Sequence, residues 1–188
     1  MIKLIVGLGN PGQQYEKTRH NAGFLFLDSL VAGRSSAWSN KPDFQGHISE
    51  CNIANEKVFL LKPQTFMNRS GQSVGKVARY YKIAIEEILV VHDELDFDAG
   101  VVKLKKDGGH AGHNGLRDII AHLGGNSFYR LRIGIGRPPA GMVVADYVLS
   151  APSKADSQLM LSAIDNGKGF IDQIIAGDIG AVMNKINS

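Results

Sequence analysis

Short apolar runs closed by turn residues alternate along this chain with stretches whose apolar positions recur at helical spacing. Ile2–Val6 reads as a buried strand ended by Gly7, and Ala22–Ala32 (AGFLFLDSLVA) as a helix with Asn21 in the cap position. His47–Ile53 and Lys57–Lys62 read as two strands that turn at Ala54–Glu56. Val74, Val77, Ala78 and Tyr81 follow helical spacing, so a helix capped by Ser70 or Ser73 is expected to run to about Tyr81. Ile88–His92 (ILVVH) is a second buried strand, expected to lie parallel to the first. Val101–Lys106 and Tyr129–Gly136 alternate with period two, which puts Lys103 and Lys105 on one face and Arg130 and Arg132 on one face. Between them Asn114–Leu123 reads as a helix with Asn114 as its cap; Ser153–Ala176 is mostly helical, and Asp178 is placed to cap a last helix. Strand and helix signals alternating in this way predict an α/β sandwich. No repeat, low-complexity tract or domain-sized linker interrupts it, so residues 1–188 are read as a single domain.

Composition narrows the class. With 44% hydrophobic residues and mixed charge the chain is not a disordered one. No apolar run approaches the ~20 residues needed to cross a bilayer. The opening MIKLIVGLGN passes from a short apolar run into a Gly/Asn/Pro turn, which is a strand and not a secretion signal. Cys51 is the only cysteine, which excludes an internal disulfide and a Cys-based zinc site. The expected setting is the cytoplasm. Net charge is only +3, but residues 101–137 hold seven basic groups against two acidic ones. A local basic stripe on a near-neutral chain is either the footprint of a polyanion or a solvated face.

The chemistry-bearing residues gather at element ends. Asn10, His20, Asn68, Asp93 and Asn114 each sit just past a strand or just before a helix, where open α/β sheets bind ligands. Taken singly, an Asn there is usually a turn or cap residue. GLGNPG at residues 7–12 matches the dinucleotide fingerprint, but Pro11 removes an amide and helical periodicity does not begin until residue 22. The turn is better read as fixing the Asn10 side chain at the mouth of the first strand. His20 in KTRHN is either a cap partner or a general base, and Asp93 in VVHDELD could orient an imidazole from a neighbouring loop or cap the next turn. His110 and His113 in HAGHN form a histidine pair with no clear third metal ligand. No G-x-S-x-G elbow is present. FMNRSG places Phe66, Met67 and Asn68 at a strand-to-helix connection, where exposed apolar groups beside an amide can receive a base or a peptide side chain, unless they are core.

As an ordered set, GLGNPG, YEKTRHNAGF, KPQTFMNRSG, VVHDELD, GGHAGHNGLRDII and YRLRIGIGRP resemble the bacterial-type peptidyl-tRNA hydrolase family over the whole chain. The resemblance implies one α/β domain with a mixed, mostly parallel central sheet flanked by helices. It implies a metal-free, cofactor-free esterase that releases the peptide from prematurely dissociated peptidyl-tRNA, acting as a monomer without an obligate protein partner. Carried over by motif, His20 would be the general base for water, and Asp93 would orient it and stabilise its imidazolium. Asn10 would discriminate blocked from free aminoacyl groups, while Tyr15, Phe66, Met67, Asn68, His113 and Asn114 would line the groove for the tRNA end and peptide. Lys103, Lys105 and Arg132 look like the family's phosphate clamp, within a stripe that Arg130 would complete. Two features depart from many relatives. Asp107 and Ala111 interrupt a glycine-rich stretch, and Lys185 is the only basic residue in 170–188.

Overall fold

A computed structural model describes residues 1–188. Seven strands form one sheet: β1 (Leu4–Gly7), β2 (Ser39–Lys41), β3 (Gly46–Ile53), β4 (Glu56–Pro63), β5 (Ile88–Glu94), β6 (Val102–Lys106) and β7 (Tyr129–Gly134), in the order β2-β3-β4-β1-β5-β7-β6. The inner four, β4, β1, β5 and β7, are mutually parallel, and the outer pairings are antiparallel. The expected mixed, mostly parallel α/β sheet is therefore what the chain forms.

The apolar runs explain the layering. In β1 Ile5 packs to one face while Leu4 and Val6 pack to the other, and in β5 Leu89 and Val91 oppose Ile88 and Val90. A strand apolar on both faces needs helices on both. One layer is α1 (Ala22–Ala32), α5 (Lys154–Lys168), α6 (Ile171–Ile175) and α7 (Ile179–Ile186); the other is α2 (Ser70–Tyr80) and α3 (Asn114–Leu123). Between β7 and α5 lies the short α4 (Val144–Val148). Helix α1 sits against β1 closely because two glycines meet there. A Cβ on Gly7 would lie 2.4 Å from the Gly23 carbonyl oxygen, and one on Gly23 would lie 2.3 Å from the Val91 carbonyl oxygen.

Turns and helix ends follow the local sequence chemistry only in part. Ala54 and Asn55 both take positive φ (51° and 62°) in the two-residue turn between the paired Ile53 and Glu56, the backbone of a tight hairpin. Ser153 caps α5 by accepting the Asp156 N–H at 3.1 Å. Asn114 does not cap α3; it is the first helical residue, and His113 is the cap, its Nδ1 accepting the Leu116 N–H at 3.4 Å. Neither Ser70 nor Ser73 caps α2: the Ser70 hydroxyl donates back to the Met67 carbonyl at 2.7 Å, and Ser73 is buried. Asn21 and Asp178 stand at helix starts but make no capping bond. The helical stretch from Ser153 breaks after Lys168 into α5 and α6. Strand β2 and helix α4 carried no periodic signal, being three and five residues long.

The chain's last turn closes a sheet edge. Asn187 accepts the Leu104 N–H at 2.9 Å and donates to its carbonyl at 2.8 Å, occupying the outer backbone groups of edge strand β6. Residues 170–188 thus serve the fold through packing and this pair.

Candidate active site

Because β4, β1 and β5 run parallel, their carboxyl ends open on the same side, and the loops that follow them meet in one cleft of about 420 Å³. Asn10, Tyr15, His20, Phe66, Met67, Asn68, Asp93, Lys105, His113, Asn114 and Arg132 all line it. Lys103 alone among the expected residues does not.

Asn10 is held from three directions. Its N–H donates to Asn21 Oδ1 at 2.8 Å, its carbonyl accepts from Asn21 Nδ2 at 3.0 Å, and its own Oδ1 accepts the Met67 N–H at 2.7 Å. With the oxygen engaged, the Nδ2 donors of Asn10 are the ones left for a ligand. This spends Asn21 on the Asn10 backbone and explains why it makes no helix cap.

His20 lies in the tight turn Arg19–Asn21 that leads into α1. Its Nδ1 is 2.8 Å from Asp93 Oδ2, and the other Asp93 oxygen, Oδ1, is 2.8 Å from His113 Nε2. Asp93 is a buried carboxylate at the end of β5, acceptor to both rings, so each ring presents an N–H to it. Nε2 of His20 is left with its lone pair toward the cleft. Burial by itself disfavours the His20 imidazolium, but the charge and hydrogen bond of Asp93 outweigh it and hold His20 above the ordinary histidine value of 6.5. Burial also disfavours the Asp93 anion, and the two imidazoles override that, holding its carboxyl far below the usual range. His92, next in line, is fully buried and pushed down to about 3, chiefly by that burial, with its Nδ1 bonded to the Asp93 carbonyl at 2.8 Å. The ligating atoms of His20, Asp93 and His113 fall within 4.8 Å of one another, a grouping that sequence spacing did not suggest. Their 2.8 Å N···O separations are those of hydrogen bonds. His110, by contrast, turns aside and accepts the Gly112 N–H at 3.0 Å, so the two histidines of HAGHN do not act as a pair.

The turn after β4 divides its side chains. Phe66 is 59% exposed at the cleft rim, whereas Met67 is buried and still reaches the cleft wall. Opposite, α4 and the residue after it supply Val144, Val148 and Leu149. Arg19 ties this wall to the His20 turn: it stacks over the Tyr147 ring at 3.9 Å and donates to the Tyr147 carbonyl at 3.1 Å and the Ser150 hydroxyl at 2.6 Å.

The four basic residues of the stripe share one face, and Arg130 differs from the other three in its burial. Lys103 faces Arg132 and Lys105 faces Arg130 across the β6–β7 pair. Arg130 lines the cleft but is buried, and its two terminal nitrogens are engaged in donating to the Gly108 and Gly109 carbonyls. It anchors the loop that carries His113. Lys105 and Arg132 remain in the cleft, their cationic forms disfavoured by burial and, for Lys105, also by the neighbouring guanidinium groups. Lys103 stands further out, 5.1 Å from the Phe97 ring that Arg132 flanks from 4.8 Å. In the loop itself Asp107 and Ala111 take φ of 66° and 48°, the left-handed region that glycine occupies most easily. Sequence reasoning had no role for Arg19, read Asn21 only as a helix cap, gave His92 no function, and placed Arg130 only in the phosphate stripe. The first two were visible as polar neighbours of His20 in TRHN, but nothing in the chain showed what they would touch.

A sheet whose strand ends converge on an imidazole–carboxylate–imidazole chain, flanked by neutral amides and a cationic strand pair, can supply a base for hydrolysis beside a surface for a polyanion. The family model for peptidyl-tRNA hydrolase matches residues 4–188, and the chain belongs to that family. It is 55% identical over 187 residues to a peptidyl-tRNA hydrolase of Methylococcus capsulatus, covering 100% of both chains. It is 51% identical over 187 residues to one of Coxiella burnetii, covering 100% of this chain and 98% of that one. The crystal structure of the Acinetobacter baumannii peptidyl-tRNA hydrolase superposes with a TM-score of 0.96 at 48% identity, covering 100% of this chain and 95% of that one. No helix of the chain is long and apolar enough to cross a membrane.

Proposed function

We propose that this chain hydrolyses the ester joining a peptide, or an N-blocked aminoacyl group, to tRNA, with His20 as the general base. The observation that carries the reading is the 2.8 Å bond from His20 Nδ1 to Asp93, which aims the free Nε2 into a cleft lined by Asn10, Asn68 and Asn114. Nε2 takes a proton from water as its oxygen attacks the ester carbonyl carbon. Asp93 holds the imidazolium that forms. The tetrahedral intermediate then expels the ribose oxygen, which takes the proton back from His20. A positioned base contributes roughly 10²–10⁴-fold and an oxyanion donor about 2.7–4 kcal/mol, and an ester with a ribose leaving group needs no covalent nucleophile or cofactor beyond these.

Asn10 recognises the blocked amino group through its remaining donors, Asn68 and Asn114 hold the peptide and terminal nucleotide, and Tyr15, Phe66 and Met67 form the walls of the groove. Lys105, Arg132 and, further out, Lys103 contact phosphate without reading sequence, as suits an enzyme that must accept every tRNA. The same reading carries with it a monomer and, through its tRNA substrate, a cytoplasmic setting.

The test is release of an N-acetylated amino acid from tRNA by the purified protein, with free aminoacyl-tRNA and His20→Ala run alongside. Release from the blocked substrate only, lost in the variant while tRNA binding persists, is expected. Binding without release by the wild-type protein would make it a tRNA-binding member of the fold and refute the reading.

A further inference from the structure

The Asp93 carboxylate is shared. Its two side-chain hydrogen bonds go to two different imidazoles, His20 at Oδ2 and His113 at Oδ1, both at 2.8 Å. The proton on His113 is located by the far side of its ring. Nδ1 accepts the Leu116 backbone N–H, so it carries a lone pair and the ring proton sits on Nε2, donated to Asp93. The two rings stand 5.0 Å apart, close enough that any charge on one is felt by the other.

We propose that His113 is a positioning residue for the reaction: by donating to the carboxylate from the side opposite His20, it draws off negative charge and keeps the proton affinity of His20 below what an undivided carboxylate would set. The kinetic consequence rests on the reading of His20 as general base. A base bound too tightly to its proton is idle at neutral pH, and one bound too weakly cannot take a proton from water, so a carboxylate divided between two donors is a way of setting the balance.

The other groups around His20 do not share this role. His92 from β5 is uncharged and touches Asp93 only at its backbone carbonyl. Arg19 turns away onto Tyr147 and Ser150, and α4 offers Val144, Ala145 and Val148. Lys105 and Arg132 share the cleft with Glu94, which partly offsets their charge. The sign is the same however His113 is protonated. A neutral donor stabilises the carboxylate in competition with His20, and a cation would repel the His20 imidazolium directly, so removing the ring raises the proton affinity of His20 in either case.

His113→Asn separates this from a structural role. Asn is among the best cap residues, so it retains the bond from Leu116, and while capping it is too short to reach Asp93. His113→Ala removes both contacts. The His20 imidazole is titrated by ¹H–¹³C NMR in both variants and in the wild type, beside the pH dependence of kcat/KM. The His20 midpoint should rise by about one unit in both variants, the scale of one hydrogen bond to a charged group. The acid limb of kcat/KM should rise with it, whatever happens to the plateau. A midpoint unmoved in both, with only thermal stability or KM altered, overturns the proposal. A midpoint that rises while the acid limb stays put upholds the shared carboxylate and instead removes His20 as the base.

Discussion

Replacing Asp93 by asparagine keeps the shape of the site and inverts half of its hydrogen bonding. One carboxylate oxygen becomes an NH₂ donor, yet both oxygens now face imidazole N–H groups. One ring must move its proton. If the new amide nitrogen faces His20, the proton goes to Nε2, the atom required as base. If it faces His113, the proton goes to Nδ1 and the bond from Leu116 is lost. That bond is long, 3.4 Å, and lies toward the weak end of the roughly 0.5–2 kcal/mol that a cap contributes, so both arrangements are populated. Tautomer choice alone then costs only a few-fold. The lost charge matters more, since a hydrogen bond to an ionised partner is worth roughly 1.5–3 kcal/mol against about 0.5–1.5 for a neutral one, and the imidazolium feels the difference. Together these give about 2–3 kcal/mol, or roughly 30- to 150-fold in kcat. With the carboxylate gone, burial acts on His20 unopposed, and the acid limb of kcat/KM should fall from above 6.5 to below it. The assay is hydrolysis of N-acetyl-aminoacyl-tRNA between about pH 5 and 9, the range in which histidine titrates. A loss under about threefold, or an acid limb that does not move down, would refute the coupling of Asp93 to His20.

Other perturbations probe what holds the site in place. Gly23→Ala puts a Cβ 2.3 Å from a backbone carbonyl that cannot yield, so stability should drop by roughly 3 kcal/mol and Tm by about 6–12 °C. Gly33→Ala, whose nearest neighbour would be 3.8 Å away, should melt almost as the wild type does. Asn21→Ala strands the buried N–H and carbonyl of Asn10, and denaturant unfolding should show a loss of about 2–4 kcal/mol; a change below about 0.5 would contradict the clamp. Lys105→Ala and Arg132→Ala should each weaken tRNA binding and lower the slope of log affinity against log salt by roughly 0.7–0.9, with the acid limb of the pH profile in place. An unchanged slope would take these two cations out of the phosphate contact.

Much of this molecule follows from local chemistry. Apolar runs within Ile2–Val6 and Ile88–His92, too short for helices and apolar on both faces, require parallel strands covered on both sides, and Ala22–Ala32 and Asn114–Leu123 supply two of the covers. Period-two alternation put Lys103 with Lys105 and Arg130 with Arg132, because side-chain direction along a strand depends only on parity, and the β6–β7 register then set both pairs on one face. The candidates at the strand ends, Asn10, His20, Asn68, Asp93 and Asn114, were legible for the same reason: a polar residue just past a buried strand has the cleft as its natural place. What each of them bonds to was not legible. Asn21 reads as a helix cap until the Asn10 backbone arrives beside it, and Asn114 reads as one until His113 takes the position. Arg130 and Arg132 are two residues apart and alike in type, and both reach the cleft, yet only Arg130 is buried with its guanidinium bonded to the carbonyls of Gly108 and Gly109. His20, Asp93 and His113 are separated by 73 and 20 residues, and only the packing of α1 and α3 on opposite faces of one sheet brings their rings to a single carboxylate. The pattern of apolar and polar positions determined the layers and the residues at their edges; hydrogen-bond partners and proton affinities depend on distances of a few ångströms between segments far apart in the chain, and those exist only once the layers have closed.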